Sequence, residues 1–280
     1  MTAATAVVCG LLLPVQQANA LPVSLGTASD FALLEMGPGS ANVSIAQGGN
    51  AGFINGDIGI APDGKLGISA GNFPITGTVY AWQSTGINTG GNAPVVVDLA
   101  KVQTAADDAF KASSEASALA TADGGVGITS IDLAGNATLN LNPGVYNLDY
   151  IKLGNSSQII LAAGGSYVFN ITGSMKLDHA QILAPGVDVN EILYNLTGPK
   201  AATSGGLNDE SVITGTLLVP FGDVSLTPGL VEGRILSGGS INIASGAAIN
   251  APTVPDAGST MLLMSMGLGC LAAVKRKFVS

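Results

Sequence analysis

The chain predicts a mostly β protein: an irregular β-solenoid with one long α-helix packed alongside. An N-terminal signal helix and a C-terminal transmembrane helix bound it. Three observations predict this class. Short β-type runs alternate with Gly, Asn, Asp and Pro breaks, and 39 glycines against only 10% charged residues leave many turns and few strongly hydrated side chains. Short strings recur, with Ile-Thr-Gly-Thr at Ile75–Thr78 and Ile213–Thr216 and Ile-Thr-Gly-Ser at Ile171–Ser174. One segment, Val95–Ala122, is dense in Ala and has no internal Gly or Pro. In a solenoid each coil buries its inward aliphatics against its neighbours, so no strand needs to be long.

The elements follow in chain order. Met1–Ala20 reads as a secretory signal, with an apolar stretch at Ala3–Val15 and a small-x-small cleavage pattern ending at Ala18 and Ala20. Strand-like runs then include Phe53-Ile54 before Asn55-Gly56, Val145–Leu148 after Pro143-Gly144, and Ser166–Ile171 after Gly164-Gly165. Strings such as Ala134–Leu139 and Gly238–Ile243 read as a turn followed by inward–outward alternation. Within Val95–Ala122, Leu99, Val102, Ala106, Ala109 and Phe110 fall at helical spacing, with Pro94 before and Gly124-Gly125 after. The stripe is mostly small residues, so this helix can lie close against a β surface. At the end, Met261–Val274 carries no charge, and counted back to Ala257 the run reaches 18 residues. That is near the minimum for a hydrocarbon core about 30 Å thick. Lys275, Arg276 and Lys277 would remain cytoplasmic by the positive-inside rule.

The order of short rigid motif, apolar span and basic stop resembles the PEP-CTERM class of bacterial sorting signals. The motif residues are Val254, Pro255, Asp256, Ala257, Gly258, Ser259 and Thr260. They match the variant that reads Val-Pro-Asp-Ser-Gly-Ser-Thr, with Ala257 in place of the usual Ser. The resemblance implies an exosortase-type membrane enzyme as processing partner, a transient stay in the inner membrane, and delivery to the cell surface or outside. The domain limits are then 1–20, 21–253 and 254–280.

Residues 21–253 resemble the ice-binding-like β-solenoid family of secreted proteins. The residues that carry this are Leu25–Leu34, Gly56–Ile60, Gly77–Ala81, Leu141–Tyr146, Tyr167–Ile171 and Gly233–Leu236, in the family's order. The resemblance implies a right-handed solenoid of triangular section with one helix alongside. Phe221–Leu226 and Val231–Arg234 also look like another exported bacterial family that carries varied C-terminal anchors.

Both cysteines, Cys9 and Cys270, fall outside 21–253, so the exported domain has no disulfide and must be held by its core. It carries seven basic and 18 acidic residues, a net charge near −11 that disfavours nucleic acid. Enzyme chemistry finds little support. His179 is the single histidine, and no second His or Cys completes a nucleophilic triad or a zinc site. Asp107-Asp108 reads as a solvated helix face; Asp209-Glu210 follows the Gly-rich stretch Ser204–Asn208. Asn55, Asp57 and Asp63 are a turn cluster with oxygen donors, but without the spacing of a calcium loop. No cofactor is expected. Asn42, Asn136, Asn155, Asn170 and Asn195 match the glycosylation pattern.

The function expected from the sequence is a structural or adhesive role at the cell surface or in the extracellular matrix, with surface polysaccharide or ice as partner. The alternative is an ice-binding protein, with Thr76, Thr78, Thr172, Thr214 and Thr216 as candidate ice-facing residues. A carbohydrate-active enzyme is the third reading.

Overall fold

Burial alternates residue by residue along many strands. In Lys65–Ile68, Leu66 and Ile68 are buried while Lys65 and Gly67 are exposed, and Asn42–Ile45 repeats the pattern. A period of two puts one side chain into a core and the next into solvent. The computed structural model describes residues 21–37, 41–46, 52–69, 73–154, 156–198, 206–244 and 246–252. Among these residues the chain is mostly β with a single α-helix, and the strands stack as three parallel ladders around one core.

Ladder A joins Ile131–Leu133, Ile151–Gly154, Met175–Asp178, the starts of two 14-residue strands (Gly206–Val219 and Val224–Ser237), Ile241–Ile243, Asn42–Ile45, Lys65–Ile68 and Ile87–Asn88. Ladder B joins Thr138–Leu141, Gln158–Leu161, Gln181–Leu183, the middles of the two long strands, Ala248–Asn250 and Phe53–Asn55, and ends in a single bridge from Ile54 to Ile75. Ladder C joins Gly144–Leu148, Tyr167–Ile171, Ile192–Leu196, the ends of the long strands, Phe31–Glu35, Asp57–Ile60, Val79–Ala81 and Val95–Val97. Every one of these pairings is parallel; Ala122–Asp123 closes the first rung of ladder C antiparallel.

The order of rungs is not the order of the chain. Phe31–Glu35 pairs on one side with the end of Val224–Ser237 and on the other with Asp57–Ile60. The coil that begins with Ile241–Ile243 and Ala248–Asn250 is therefore completed by the N-terminal strand. Fully buried Arg234 braces this seam. Its Nε donates to the Ser29 carbonyl (2.8 Å), Nη1 to Asn190 Oδ1 (2.7 Å) and Nη2 to the Pro252 carbonyl (3.5 Å).

Inward aliphatics from all three ladders form the central core, and a file of aromatic rings runs through it. Tyr146, Phe169 and Tyr194 stack with centroids 4.8 and 5.0 Å apart, one from each of three successive rungs of ladder C. A second core lies on the outside of ladder C. There Leu34, Val168, Leu193, Leu218 and Leu236 meet Val102, Ala105, Ala106, Ala109, Ala112 and Ala116 of α1 (Leu99–Ser117). Small side chains let the helix axis approach the sheet, and strands such as Tyr167–Ile171 are buried on both sides.

Some expectations change. The helix is shorter than Val95–Ala122. Val95–Val97 extends ladder C beside Val79–Ala81, as β-branched residues favour, and Asp98 then caps the helix by accepting from the Lys101 N–H (3.0 Å). Leu99, expected in the apolar stripe, is 50% exposed at the helix start. The predicted runs at Phe53-Ile54, Val145–Leu148 and Ser166–Ile171 are strands Phe53–Asn55, Gly144–Leu148 and Tyr167–Ile171. The expected signal helix and the sorting segment with its membrane span lie outside the described residues. Among the described residues no helix is long and apolar enough to cross a membrane.

Candidate functional site

Of the three outer faces, α1 packs against that of ladder C, so among the described residues faces A and B are the more open to a large ligand. Face A carries charge towards both ends, with Lys65 exposed on the Lys65–Ile68 rung. At one end Asp132, Lys152 and Lys176 stand in register on successive rungs, with Lys152 Nζ 3.7 Å from Asp132 Oδ2. Its other end carries Asn242, Ser44, Gly67 and Asn88 in register.

Face B has two outward rows. The first holds Thr138, Gln158, Gln181, Val212, Leu230, Ala248 and Phe53. The second holds Asn140, Ile160, Leu183, then Thr214, Glu232, Asn250, Asn55 and Thr76. Only one of these residues, Glu232, is formally charged. Half-buried aliphatics lie between short polar groups, and those polar groups bond along the stack. Gln158 Nε2 donates to Gln181 Oε1 (3.2 Å), Asn250 Nδ2 to Glu232 Oε2 (2.7 Å), Asn55 Nδ2 to Asn250 Oδ1 (2.9 Å) and the Thr76 hydroxyl to Asn55 Oδ1 (2.7 Å).

The candidate threonines do not share one surface. Thr76 and Thr214 stand on face B. Thr78 lies at the corner before Val79–Ala81, where its N–H donates to Asp57 Oδ1 (2.8 Å). Thr172 follows Tyr167–Ile171 and is exposed at the next corner, its hydroxyl 3.4 Å from the Leu148 carbonyl. Thr216 is fully buried on ladder C opposite Leu193, and its Oγ1 has no partner among the described residues; this position cannot face ice. The residues that sequence reasoning passed over are Asn250, Glu232 and the aliphatics of the first row. Only the register between distant strands brings them together.

The sites considered for chemistry are dispersed. Asp178 and His179 form an exposed pair, Nδ1 to Oδ1 3.0 Å. Asp57 is 3.9 Å from Lys101 Nζ, and Asp63 occupies a turn with φ of 68°. Asp108, expected on a solvated face, instead accepts the Thr27 N–H (2.8 Å) and ties the N-terminal turn to α1. Asn170 and Asn195, two of the glycosylation matches, are buried beneath the helix, bonded to each other and to the Ala116 and Ser113 carbonyls. Among the described residues no group of three or more His, Cys, Asp or Glu is placed to hold a metal. A cavity of about 420 Å³ between α1 and a corner of the solenoid is lined by Met36, Pro62, Phe110, Pro220 and Phe221, with Asp63 and Gln103 as its charged and amide groups. Close by, Glu35 is fully buried. Its Oε1 accepts the Gly37 N–H (2.8 Å), its Oε2 has no partner among the described residues, and burial pushes its pKa up to about 8.

A family model described as ice-binding-like matches residues 40–248. The chain belongs to the ice-binding-like family. A second model, the VPDSG-CTERM motif, matches residues 253–278, so the tail is a variant of the PEP-CTERM sorting signals. Solved structures similar to this chain include an ice-binding protein from an Arctic yeast, at 20% identity and a TM-score of 0.56, covering 83% of this chain and 95% of that one. Another, from an Antarctic biological consortium, has 20% identity and a TM-score of 0.57 over 86% and 96%. The ice-binding domain from Shewanella frigidimarina has 18% identity and a TM-score of 0.53 over 84% and 100%. These likenesses establish the fold. Among curated proteins none matches. Membership of the ice-binding-like family overturns the structural or adhesive role expected from the sequence and favours its alternative.

Proposed function

We propose that this protein binds ice through face B, as an exported, non-enzymatic member of its family. The observation that supports this is the in-register surface itself: two long rows of half-buried aliphatics and short, mutually bonded polar groups, with a single formal charge. Neighbouring rungs lie about 4.8 Å apart and hold those groups stiffly, which lets them order water in a repeating pattern. Long charged side chains keep their own mobile hydration, so the lysines of face A make it the poorer surface. Thr76 and Thr214 belong to the ice-facing set; Thr78 and Thr172 stand at its corners. The family resemblance further supports a right-handed coil of triangular section.

The delivery reading accompanies this. Met1–Ala20 directs export and is cleaved after Ala20. The tail holds the chain in the inner membrane until an exosortase-type enzyme processes it at Val254–Thr260, leaving the domain of 21–253 at the cell surface or outside. Replacing Pro255 and Asp256 by Ala is expected to block that processing, seen as retention of the full-length chain in the membrane fraction.

Thermal hysteresis and ice recrystallisation measured on the purified protein test the ice reading. Ile160→Lys and Leu230→Lys on face B are expected to lower activity about ten-fold by placing hydrated charge in the contact surface, while Ser44→Lys on face A leaves it intact. Loss from the face A change and none from the face B changes would assign the activity to the wrong face here. An inactive parent protein would sink the reading.

A further inference from the structure

One feature of face B runs along the solenoid instead of across a coil. The Gly56 N–H donates to Thr76 Oγ1 (3.1 Å), the Thr76 hydroxyl donates to Asn55 Oδ1 (2.7 Å), Asn55 Nδ2 donates to Asn250 Oδ1 (2.9 Å), and Asn250 Nδ2 donates to Glu232 Oε2 (2.7 Å). Every bond points the same way. Chemistry at both ends dictates that direction: a backbone N–H only donates, and a carboxylate only accepts. Between them, a hydroxyl and two amides have no intrinsic preference, since each can donate or accept on either side.

We infer that Glu232 is a positioning residue: its carboxylate polarises the Thr76–Asn55–Asn250 ladder, so that these groups present one repeated orientation of donors and acceptors on face B. The inference rests on the reading that face B binds ice. Water held against the face must donate where a face group accepts and accept where it donates, so an amide of mixed orientation offers a donor where an acceptor is needed. Each rung repeats at the strand spacing, so one acceptor at the end orients groups on the next three rungs. The ladder also crosses the seam, because Glu232 and Asn250 come from the C-terminal part of the chain and Asn55 and Thr76 from the N-terminal part. Orientation is thereby transmitted between two segments with no covalent proximity.

The test uses the full chain, 15N-labelled at asparagine, with Glu232→Ala and Glu232→Gln. In the parent, the side-chain amides of Asn55 and Asn250 should each give two resolved proton signals with slowed exchange. Glu232→Ala should merge or broaden them and lower thermal hysteresis about five-fold, as expected when a preorganised array loosens. The Tm should stay within about 2 °C of the parent. Glu232→Gln keeps an acceptor for Asn250 but, as an amide, can also donate, so it should restore the amide signals and the activity only in part. Asparagine signals unchanged by Glu232→Ala would overturn the inference, as would undiminished ice activity once those signals have collapsed. A fall in activity matched by a fall in Tm as large as that of the core change Ile249→Ala would also overturn it, by showing a merely structural role. If the parent chain has no ice activity, the ice reading fails instead, and the amide signals alone decide whether Glu232 orients the ladder.

Discussion

Glu35 is the residue whose burial has the clearest consequence in solution. Its side chain faces inward at the end of Phe31–Glu35, and desolvation is the largest cause that raises its pKa from 4.5 to about 8. The folded chain therefore holds this proton more tightly than the unfolded chain. Its contribution to stability is fully present below about pH 4.5 and is lost as pH rises through about 8. Thermal melts between those limits should show a falling Tm, and Glu35→Gln should flatten that part of the curve; an unchanged slope would refute the assignment. Asn195 offers a second case. Its amide serves the Ser113 carbonyl, Ser117 Oγ and Asn170 Oδ1, and its Oδ1 receives the Ser113 hydroxyl. Asn195→Ala strands these partners in a buried place and should cost about 1–3 kcal/mol in denaturant unfolding. Neither role was legible locally. Asn195 matched a glycosylation pattern, and only the helix lying over it shows why a side chain there is inaccessible.

At the scale of elements, α1 is held by small residues and by a polar edge. Ala109 is fully buried where the helix meets the outer side of ladder C, so Ala109→Leu should cost about 1–3 kcal/mol through overpacking, measured by denaturant unfolding. Asp98→Ala removes the cap on Lys101 and should cost about 1 kcal/mol. The helix was visible in advance because Ala density and the absence of Gly and Pro are local properties. Its first turn was misjudged for a reason equally physical. Val95, Val96 and Val97 were read into the helix because no Gly or Pro separates them from it, yet they are β-branched, and a free edge at Val79–Ala81 offers them backbone hydrogen bonds that a helix start cannot. The strand at Tyr167–Ile171 was readable in the same local way, but its burial on both sides, like that of Ile192–Leu196, needs the helix to explain it.

The whole molecule depends on a seam. The N-terminal strand Phe31–Glu35 sits between the end of Val224–Ser237 and Asp57–Ile60, and Arg234 links the N-terminal turn at Ser29 to the chain's exit at Pro252. Removing residues 21–36 opens ladder C at its middle, leaving two edges unpaired. Such a chain should lose its single cooperative melting transition by circular dichroism; a transition unchanged in Tm would mean that the seam is dispensable. Arg234→Met keeps the volume and removes the donors. It should destabilise the fold by about 2–3 kcal/mol, because the Ser29 carbonyl and Asn190 then lose their partner.

By itself the sequence determined the mostly β class of fold, the long helix beside it, the sorting motif and the family, because each is written in neighbouring residues or in motifs kept in order. Only the tertiary structure decided which surface is available. It placed Thr76 and Thr214 on one face, sent Thr78 and Thr172 to corners and buried Thr216, although all five stand in similar local strings. It also joined Asn55 to Asn250 across 195 positions of chain. The reason is register: in a parallel stack, face membership depends on which distant strand lies alongside, and a shift of one residue would turn every outward side chain inward.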